Sequence, residues 1–266
     1  MKNLFCFNNA KTNKGEAFGW RTAILYLAPA SLSGENVCKH STAECRLLCL
    51  NTAGMAGVFK NIQESRIRKT KWMLQNPAAF WQQVDREITN HENLTHRQQT
   101  RLKRKFRPCV RLNGTSDIWN SEMETIMYRH PTTQFYDYTK DADRMRAYMR
   151  GELPRNYYLI YSFSGTEQSK DFCDIVLQNG FNVSVVFGIK RGDKLPQYWR
   201  GCYSVIDGDK HDIRFLTEEQ GELQISDYFP KGMREGNVVG LRAKGKAVGV
   251  VAHDKSFIQP YSDDRP

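Results

Sequence analysis

What most constrains this chain is a unit that recurs along it: a short apolar run, a polar or glycine-bearing cluster at its end, then a helical pattern. Residues 109–113 (CVRLN) lead into Gly114-Thr115-Ser116-Asp117, residues 134–138 (QFYDY) into Thr139-Lys140, and residues 157–163 (YYLIYSF) into Ser164-Gly165. Residues 23–30 (AILYLAPA) open the series ahead of a cysteine-rich loop. Residues 182–187 and 237–241 add two more runs, and 202–206 leads into Asp207-Gly208-Asp209. Helical patterns fall at 121–129, 141–150 and 170–179, and a longer one over 59–90 is broken at Asn76-Pro77. Parallel strands need such crossovers, so the alternation predicts an α/β fold. About six or seven strands fall short of a closed eight-stranded barrel. The expected architecture is a partial (β/α)6-type or TIM-like barrel over residues 23–266, ending in an irregular C-terminal appendage. Residues 1–22, polar and rich in Gly and Asn, read as an N-terminal arm or edge hairpin. In such folds the site lies at the carboxyl ends of the strands.

The cysteine-rich loop, VCKHSTAECRLLCLNT over residues 37–52, places Cys38, Cys45 and Cys49 in a C-x6-C-x3-C array. The first twenty residues lack the long apolar segment of a secretion signal. Three close thiols in such a chain point to a soft metal or an iron–sulfur cluster rather than to a disulfide framework. The spacing predicts a loop from Cys38 to Cys45, then one helical turn from Cys45 to Cys49. His40 inside the loop is either a ligand or proton shuttle, or simply an exposed histidine. Cys6, Cys109, Cys173 and Cys202 stand alone among apolar or aromatic neighbours. They read as buried small side chains, unless one completes a four-thiolate zinc site.

The other clusters admit two readings each. Asn113, Gly114, Thr115, Ser116 and Asp117 form a strand-to-helix turn that either cradles a ligand's ammonium or hydroxyl groups or caps the next helix. Asp137, between two tyrosines, either points into the barrel or faces solvent. Lys140 binds a carboxylate or phosphate, or pairs with an acid. Asp207, Asp209, His211 and Asp212 either hold a cation and do acid–base work, or make a hairpin turn.

Charge narrows the partners. The chain carries 39 Lys+Arg against 29 Asp+Glu, a formal +10, which favours polyanions and nucleic acid (DNA or RNA) first. Arg97, Arg101, Lys103, Arg104, Lys105 and Arg107 concentrate that charge, as a phosphate-tracking patch or as a solvated face. No run approaches the roughly 20 apolar residues of a membrane helix. The expected location is therefore the cytoplasm, the host's if the chain is phage-encoded. The sequence carries no internal repeat and no sign of its oligomeric state.

Three of these blocks together resemble a known family. A three-cysteine loop after the first strand, leading into a helix, is similar to the radical S-adenosylmethionine (radical SAM) enzymes, in particular to the phage-type radical-SAM-like proteins. There an early Cys is followed by Gly-Cys-x-x-Cys. Here Glu44 occupies the Gly position, and Cys45 and Cys49 are one residue further apart. VRLNGTSDIW at 110–119 is similar to that family's strand ending in Asn-x-x-Ser-Asp, and FYDYTKDADR at 135–144 to its next strand ending in Thr-Lys. The likeness runs over residues 23–165. It implies that Cys38, Cys45 and Cys49 ligate three irons of a [4Fe–4S] cluster whose fourth iron binds the amino and carboxylate groups of SAM. Reductive cleavage of SAM would then give a 5′-deoxyadenosyl radical that abstracts hydrogen from the substrate. The resemblance also implies that residues 113–117 hold the amino end of SAM and that Ser164 lies near its carboxylate or ribose. The superfamily's common spacing, C-x3-C-x2-C, is shorter than the one here.

A weaker likeness is to the tRNA- and DNA-guanine transglycosylases, which exchange guanine for a 7-deazaguanine and carry a structural zinc. It implies Asp117 or Asp137 as the nucleophile at C1′, and zinc in place of a cluster. A third reading, a zinc-stabilised nucleic-acid-binding module, leaves the clusters past the strand ends without a purpose. The expectation is a metal-cofactor enzyme that modifies a nucleic acid or nucleotide by radical SAM chemistry, with Asp117, Asp137 and Lys140 as candidate catalytic groups.

Overall fold

The computed structural model describes residues 3–7, 10–219, 222–225, 236–254 and 256–261. In chain order, β1 (Phe5–Cys6), α1 (Ala10–Glu16) and β2 (Trp20–Leu25) precede the cysteine region, whose short helices are α2 (Ala30–Ser33), α3 (Ala43–Leu47) and α4 (Met55–Val58). Two long helices follow, α5 (Lys60–Gln75) and α6 (Pro77–Leu102). Then come β3 (Arg107–Arg111), α7 (Ser121–Arg129), β4 (Gln134–Thr139), α8 (Ala142–Met149), β5 (Tyr157–Ser162), α9 (Glu167–Gln178) and β6 (Val183–Phe187). The rest is β7 (Tyr198–Trp199), β8 (Tyr203–Asp207), a hairpin of β9 (Leu216–Glu219) and β10 (Glu222–Ile225), β11 (Val238–Arg242) and β12 (Ile258–Gln259).

One sheet runs β1-β2-β3-β4-β5-β6-β11-β8-β7, with β12 also paired to β6. From β2 to β8 in that order every neighbouring pair is parallel, and β1 and β7 join antiparallel at the two ends. The α/β expectation therefore holds, and along this path the sheet does not close. β2 to β6 stand side by side in chain order, each crossover placing the next parallel strand beside the last. Their carboxyl ends consequently share one edge, which is where the polar clusters collect.

The first 22 residues contribute to this sheet. β1 pairs with β2, and β2 begins at Trp20 rather than at residue 23. The expected C-terminal appendage is also part of it. β11 lies between β6 and β8, and β12 takes up Val186 and Phe187 of β6, beyond the Ser184 at which β5 stops pairing. The apolar run expected at 237–241 forms β11, whereas β12, two residues long, is too short for a period-two pattern to mark it. Gly240 is required by the packing, since a Cβ there would stand 2.6 Å from Val205 Cγ1.

Alternation along the strands separates two faces. Val110, Phe135, Leu159 and Val185 face the helices, where α6 contributes Phe80, Val84 and Ile88 at helical spacing. Pro77 starts α6 at a position where a missing N–H costs nothing. Cys109 and Tyr136 face the other way and meet Trp20, Ile213 and Phe215, the last two from the segment that returns after β8. In the same layer Arg111 donates to Asp212 at 3.2 Å, and its guanidinium lies 4.7 Å from the centre of the Tyr138 ring. Asp212 is thus half of a buried ion pair. Asp207 and Asp209 pair with Arg242 at 2.9 and 3.1 Å, and Lys244 closes on Asp209. The hairpin of this region comes later, at β9 and β10. Cys109 and Cys173 are buried as expected, whereas Cys6 is half-buried and Cys202 is exposed, because Cys202 falls in the turn between β7 and β8.

His130, just past α7, fastens that helix to α6. Its Nδ1 lies 3.0 Å from Glu92 Oε2, and its Nε2 lies 3.1 Å from Asp85 Oδ1. Burial opposes charge on the ring, but the carboxylates of Glu92 and Asp85 outweigh it and raise the pKa above the ordinary value. A pKa raised on folding gives a contribution that is complete below the unfolded value of about 6.5. It is lost as the pH rises through the folded value. His130→Gln is therefore expected to be less stable than wild type by about 1 kcal/mol at pH 6. In urea unfolding that difference should shrink as the pH is raised to about 8; a difference that grows would contradict the arrangement.

Candidate active site

The cysteine region is held by the strand ends around it. Beyond β2, the Ala28 N–H donates to Thr70 Oγ1 on α5 at 2.8 Å, and the Leu27 carbonyl accepts from Thr115 Oγ1 at 2.6 Å. The Val37 carbonyl accepts the Asp117 N–H at 2.8 Å, so Cys38 sits against the 113–117 turn, its sulfur 3.9 Å from the Thr115 carbonyl oxygen. Thr42 caps α3: its Oγ1 accepts the Cys45 N–H at 3.1 Å and donates to the Ser164 carbonyl at 3.2 Å.

The expected helical turn from Cys45 to Cys49 does not form. α3 stops at Leu47, because Leu48 leaves helical geometry and is buried against Ala243, Ala247 and Ile258. Cys49 instead begins the next 3-10 turn, Leu50–Thr52, with its sulfur 3.5 Å from the Asn51 N–H. Arg66 of α5 donates to Asn51 Oδ1 and lies over the Tyr26 ring.

The 113–117 turn is a closed hydrogen-bonded unit. Asp137 accepts the Asn113 N–H at 2.8 Å and Asn113 Nδ2 at 3.2 Å, and Asn113 Oδ1 accepts from Ser116 Oγ at 2.8 Å and the Ile118 N–H at 3.0 Å. Asp117 accepts the Lys140 N–H at 2.8 Å and is ion-paired with Arg144. Gly114 makes its close approach to β2, where a Cβ would stand 2.7 Å from the Leu25 carbonyl oxygen and 2.6 Å from Tyr26 Cδ1. Lys140 Nζ donates to Ser162 Oγ at 2.8 Å and to the Phe163 carbonyl at 3.2 Å. The Ser164 N–H donates to Ser169 Oγ at 3.0 Å.

Asp137 is only 1% exposed, on the helix-facing side of β4. Burial pushes its pKa up to about 6, against the pull of Arg111, Arg144 and the two Asn113 donors. Burial also pushes the Cys38 thiol up to about 12, Asp117, Cys49 and Cys45 adding to it and Lys140 pulling back. Cys49 is raised by burial and by Cys45, against the Asn51 N–H, Arg66 and Lys140. The three thiols thus lie in one another's field, with Lys140 as the cation that Cys38 and Cys49 share. Without a bound cation both of these remain protonated at neutral pH, and a soft metal would displace the protons. Among the described residues no three His, Cys, Asp or Glu side chains form a ready-made coordination set. The donor chemistry fits a soft metal, and binding would draw the thiols together.

Other expected residues lie apart from this edge. Arg97 and Arg101 are on the last turns of α6, Lys103 closes that helix with φ 49°, Arg104 and Lys105 follow, and Arg107 begins β3. All six basic residues are exposed. They stand at the amino end of β3, about 20 Å from the 113–117 turn at the usual rise per strand residue. Arg104 is anchored by the carbonyls of Glu16 and Ala17, at 3.2 and 2.9 Å. His40 is largely exposed, 3.5 Å from Asp141.

Sequence reasoning missed the C-terminal strap over the site. Glu44 Oε2 accepts the Phe257 N–H at 2.7 Å, the Phe257 ring lies 4.8 Å from Lys140 Nζ, and a Cβ on Gly165 would stand 2.5 Å from the Phe257 nitrogen. Its one trace in the sequence is Glu44 itself, at a position where the resembling family has Gly. Glu44→Ala should lower stability by about 1–2 kcal/mol and speed amide exchange at Phe257. Glu44→Gln, which keeps an acceptor, should restore most of both; an Ala variant with unchanged Phe257 exchange would show that the latch does not form.

No curated protein and no solved structure matches this chain. A family model described as Gene product 88 matches residues 3–257, a span that holds the three cysteines, the 113–117 turn, Lys140, Ser164 and the strap as far as Phe257. The chain therefore belongs to the Gene product 88 family of phage proteins.

Proposed function

We propose that this protein is a metal-cofactor enzyme that modifies a nucleic acid or nucleotide by radical SAM chemistry, with a [4Fe–4S] cluster held by Cys38, Cys45 and Cys49. The observation that carries the reading is the position of the cysteine region at the carboxyl edge of a parallel sheet, with Cys38 against the Thr115 carbonyl and Cys45 joined through Thr42 to Ser164. The chain order of β2 to β6 suits a partial (β/α)6-type barrel, whose mouth would be this edge. Held there by Cys38, Cys45 and Cys49, a cluster would supply the one electron that cleaves a sulfonium.

The chain's own residues position and balance charge. Lys140, fixed by Ser162 and Phe163, offsets the charge of the thiolate ligands. Asp137 and Asp117 act in this reading as positioning groups, one shaping the turn and the other tying it to β4 and to Arg144 of α8. The basic residues between 97 and 107, at the opposite end of the sheet, would hold phosphates distant from the reacting nucleotide. No helix among the described residues is long and apolar enough to cross a membrane, and the proposed setting is the host cytoplasm, where the thiols stay reduced.

The same thiols suit zinc, and a zinc-containing transglycosylase is the second reading. It needs a free ionised carboxylate at the sugar. Asp117 and Asp137 are both engaged within the turn and its neighbours, which weighs against it.

Metal and sulfide analysis of protein purified without oxygen tests the proposal. The expected result is about four iron and four sulfide per chain and a ~400 nm band that bleaches on reduction. Cys38→Ala should lose them, while Asp117→Asn should keep the cluster and weaken SAM binding. One zinc per chain with no colour would overturn the cluster reading and make guanine exchange the next assay.

A further inference from the structure

The exposed apolar side chains around the cysteines are not scattered. Leu47, Leu50, Met55, Val58 and Phe59 lie on one stretch that begins between Cys45 and Cys49 and runs to the start of α5. Val248 and Val251 lie on the segment docked against that stretch: the Lys246 N–H donates to Thr52 Oγ1 at 3.1 Å, and Ala247 packs with Leu48. Val58 and Val251 are 74% and 83% exposed, so they stand in solvent rather than at the margin of the core. Monomer surfaces carry such residues singly; a contiguous ridge of them marks an interaction site.

The rim of this ridge is cationic. Arg46, Lys60 and Lys246 are exposed at the ends of the two segments and Lys39 in the cysteine loop, against the exposed acid Asp254 past Val251. Glu44, the acid nearest the thiols in the chain, is turned to the Phe257 N–H. The basic residues between 97 and 107 differ in kind, having six cations and two exposed large apolar neighbours, Leu94 and Leu102. The occupant of the ridge must therefore be anionic and must also offer apolar faces that become available on contact. Duplex nucleic acid meets both conditions: phosphates for the rim, and base steps that apolar side chains enter and unstack. An enzyme that acts on a base within a duplex has to bring that base out of the stack, and this ridge borders the thiols.

We propose that residues 47–59 and 248–251 form a wedge that enters duplex nucleic acid beside the cysteine site and unstacks the base to be modified, with Lys39, Arg46, Lys60 and Lys246 on the flanking phosphates. This rests on the nucleic-acid reading above and names its substrate as a duplex.

The test is titration of the full chain into short DNA duplexes carrying 2-aminopurine, with duplex RNA in a parallel arm, read by fluorescence and by affinity at several salt concentrations. Wild type should bind one of the two and raise 2-aminopurine fluorescence several-fold. Val58→Ser with Val251→Ser, both mostly in solvent, should keep affinity within about 3-fold and lose the rise. Lys60→Glu with Lys246→Glu should weaken binding at least about 10-fold and reduce the salt slope by about 2. The proposal is overturned if wild type binds neither duplex, if it binds without a rise, or if the rise survives the double serine variant. Iron and sulfide, measured on the same preparations, report the cofactor reading separately. A cluster-bearing protein with no rise sinks the wedge alone, and a rise without a cluster sinks the radical reading alone.

Discussion

The carboxylate of Asp137 is the fixed point of the molecule's working edge. A buried carboxylate is costly unless its lone pairs are used and a cation stands near. Asp137 meets that condition with the two Asn113 donors and with Arg111 at 3.9 Å. Everything past it follows in sequence. Asn113 is held, so the turn closes on Ser116 and Ile118. Asp117 then lies where it reaches Val37, Lys140 and Arg144 at once. Three strand ends and the loop that carries Cys38 become one hydrogen-bonded body, organised from beneath by a buried group.

The parallel sheet gives that body a direction. Because β2 to β6 all end on the same edge, thiols, hydroxyls and one ammonium gather there, while the starts of the same strands collect a different chemistry. Arg107 lies at the start of β3, and the basic residues before it reach no group of the cysteine region. A polyanion drawn by the whole positive field would therefore meet two surfaces of different character, one purely cationic and one apolar with a cationic rim. The first suits retention, the second discrimination.

Much of this edge was legible in the chain. Polar clusters past apolar runs are what strand ends look like, and Asn76-Pro77 marks the break between α5 and α6 without ambiguity. The parts that were not legible share a cause: they depend on partners distant in sequence. The role of Asp137 is fixed by Asn113, and the face it takes on β4 cannot be told from FYDYT alone. Leu48 ends α3 because Ala243, Ala247 and Ile258 bury it, which no local spacing of cysteines encodes. β12 is a strand because β6 offers it an edge, not because its residues alternate. The acids at 207, 209 and 212 look like a turn or a cation site until Arg242, Lys244 and Arg111 are placed beside them.

The latch between Glu44 and Phe257 joins residues 213 positions apart, and this has a consequence for biosynthesis. At about 5–20 residues per second, a ribosome that has made the cysteine loop needs roughly 10–40 s more to make the strap that covers it. Through that interval the nascent chain carries its three thiols without the strap. Contacts of such long range also form late in folding. The order in which the chain is made is thus an order of assembly, with the strap as its last step.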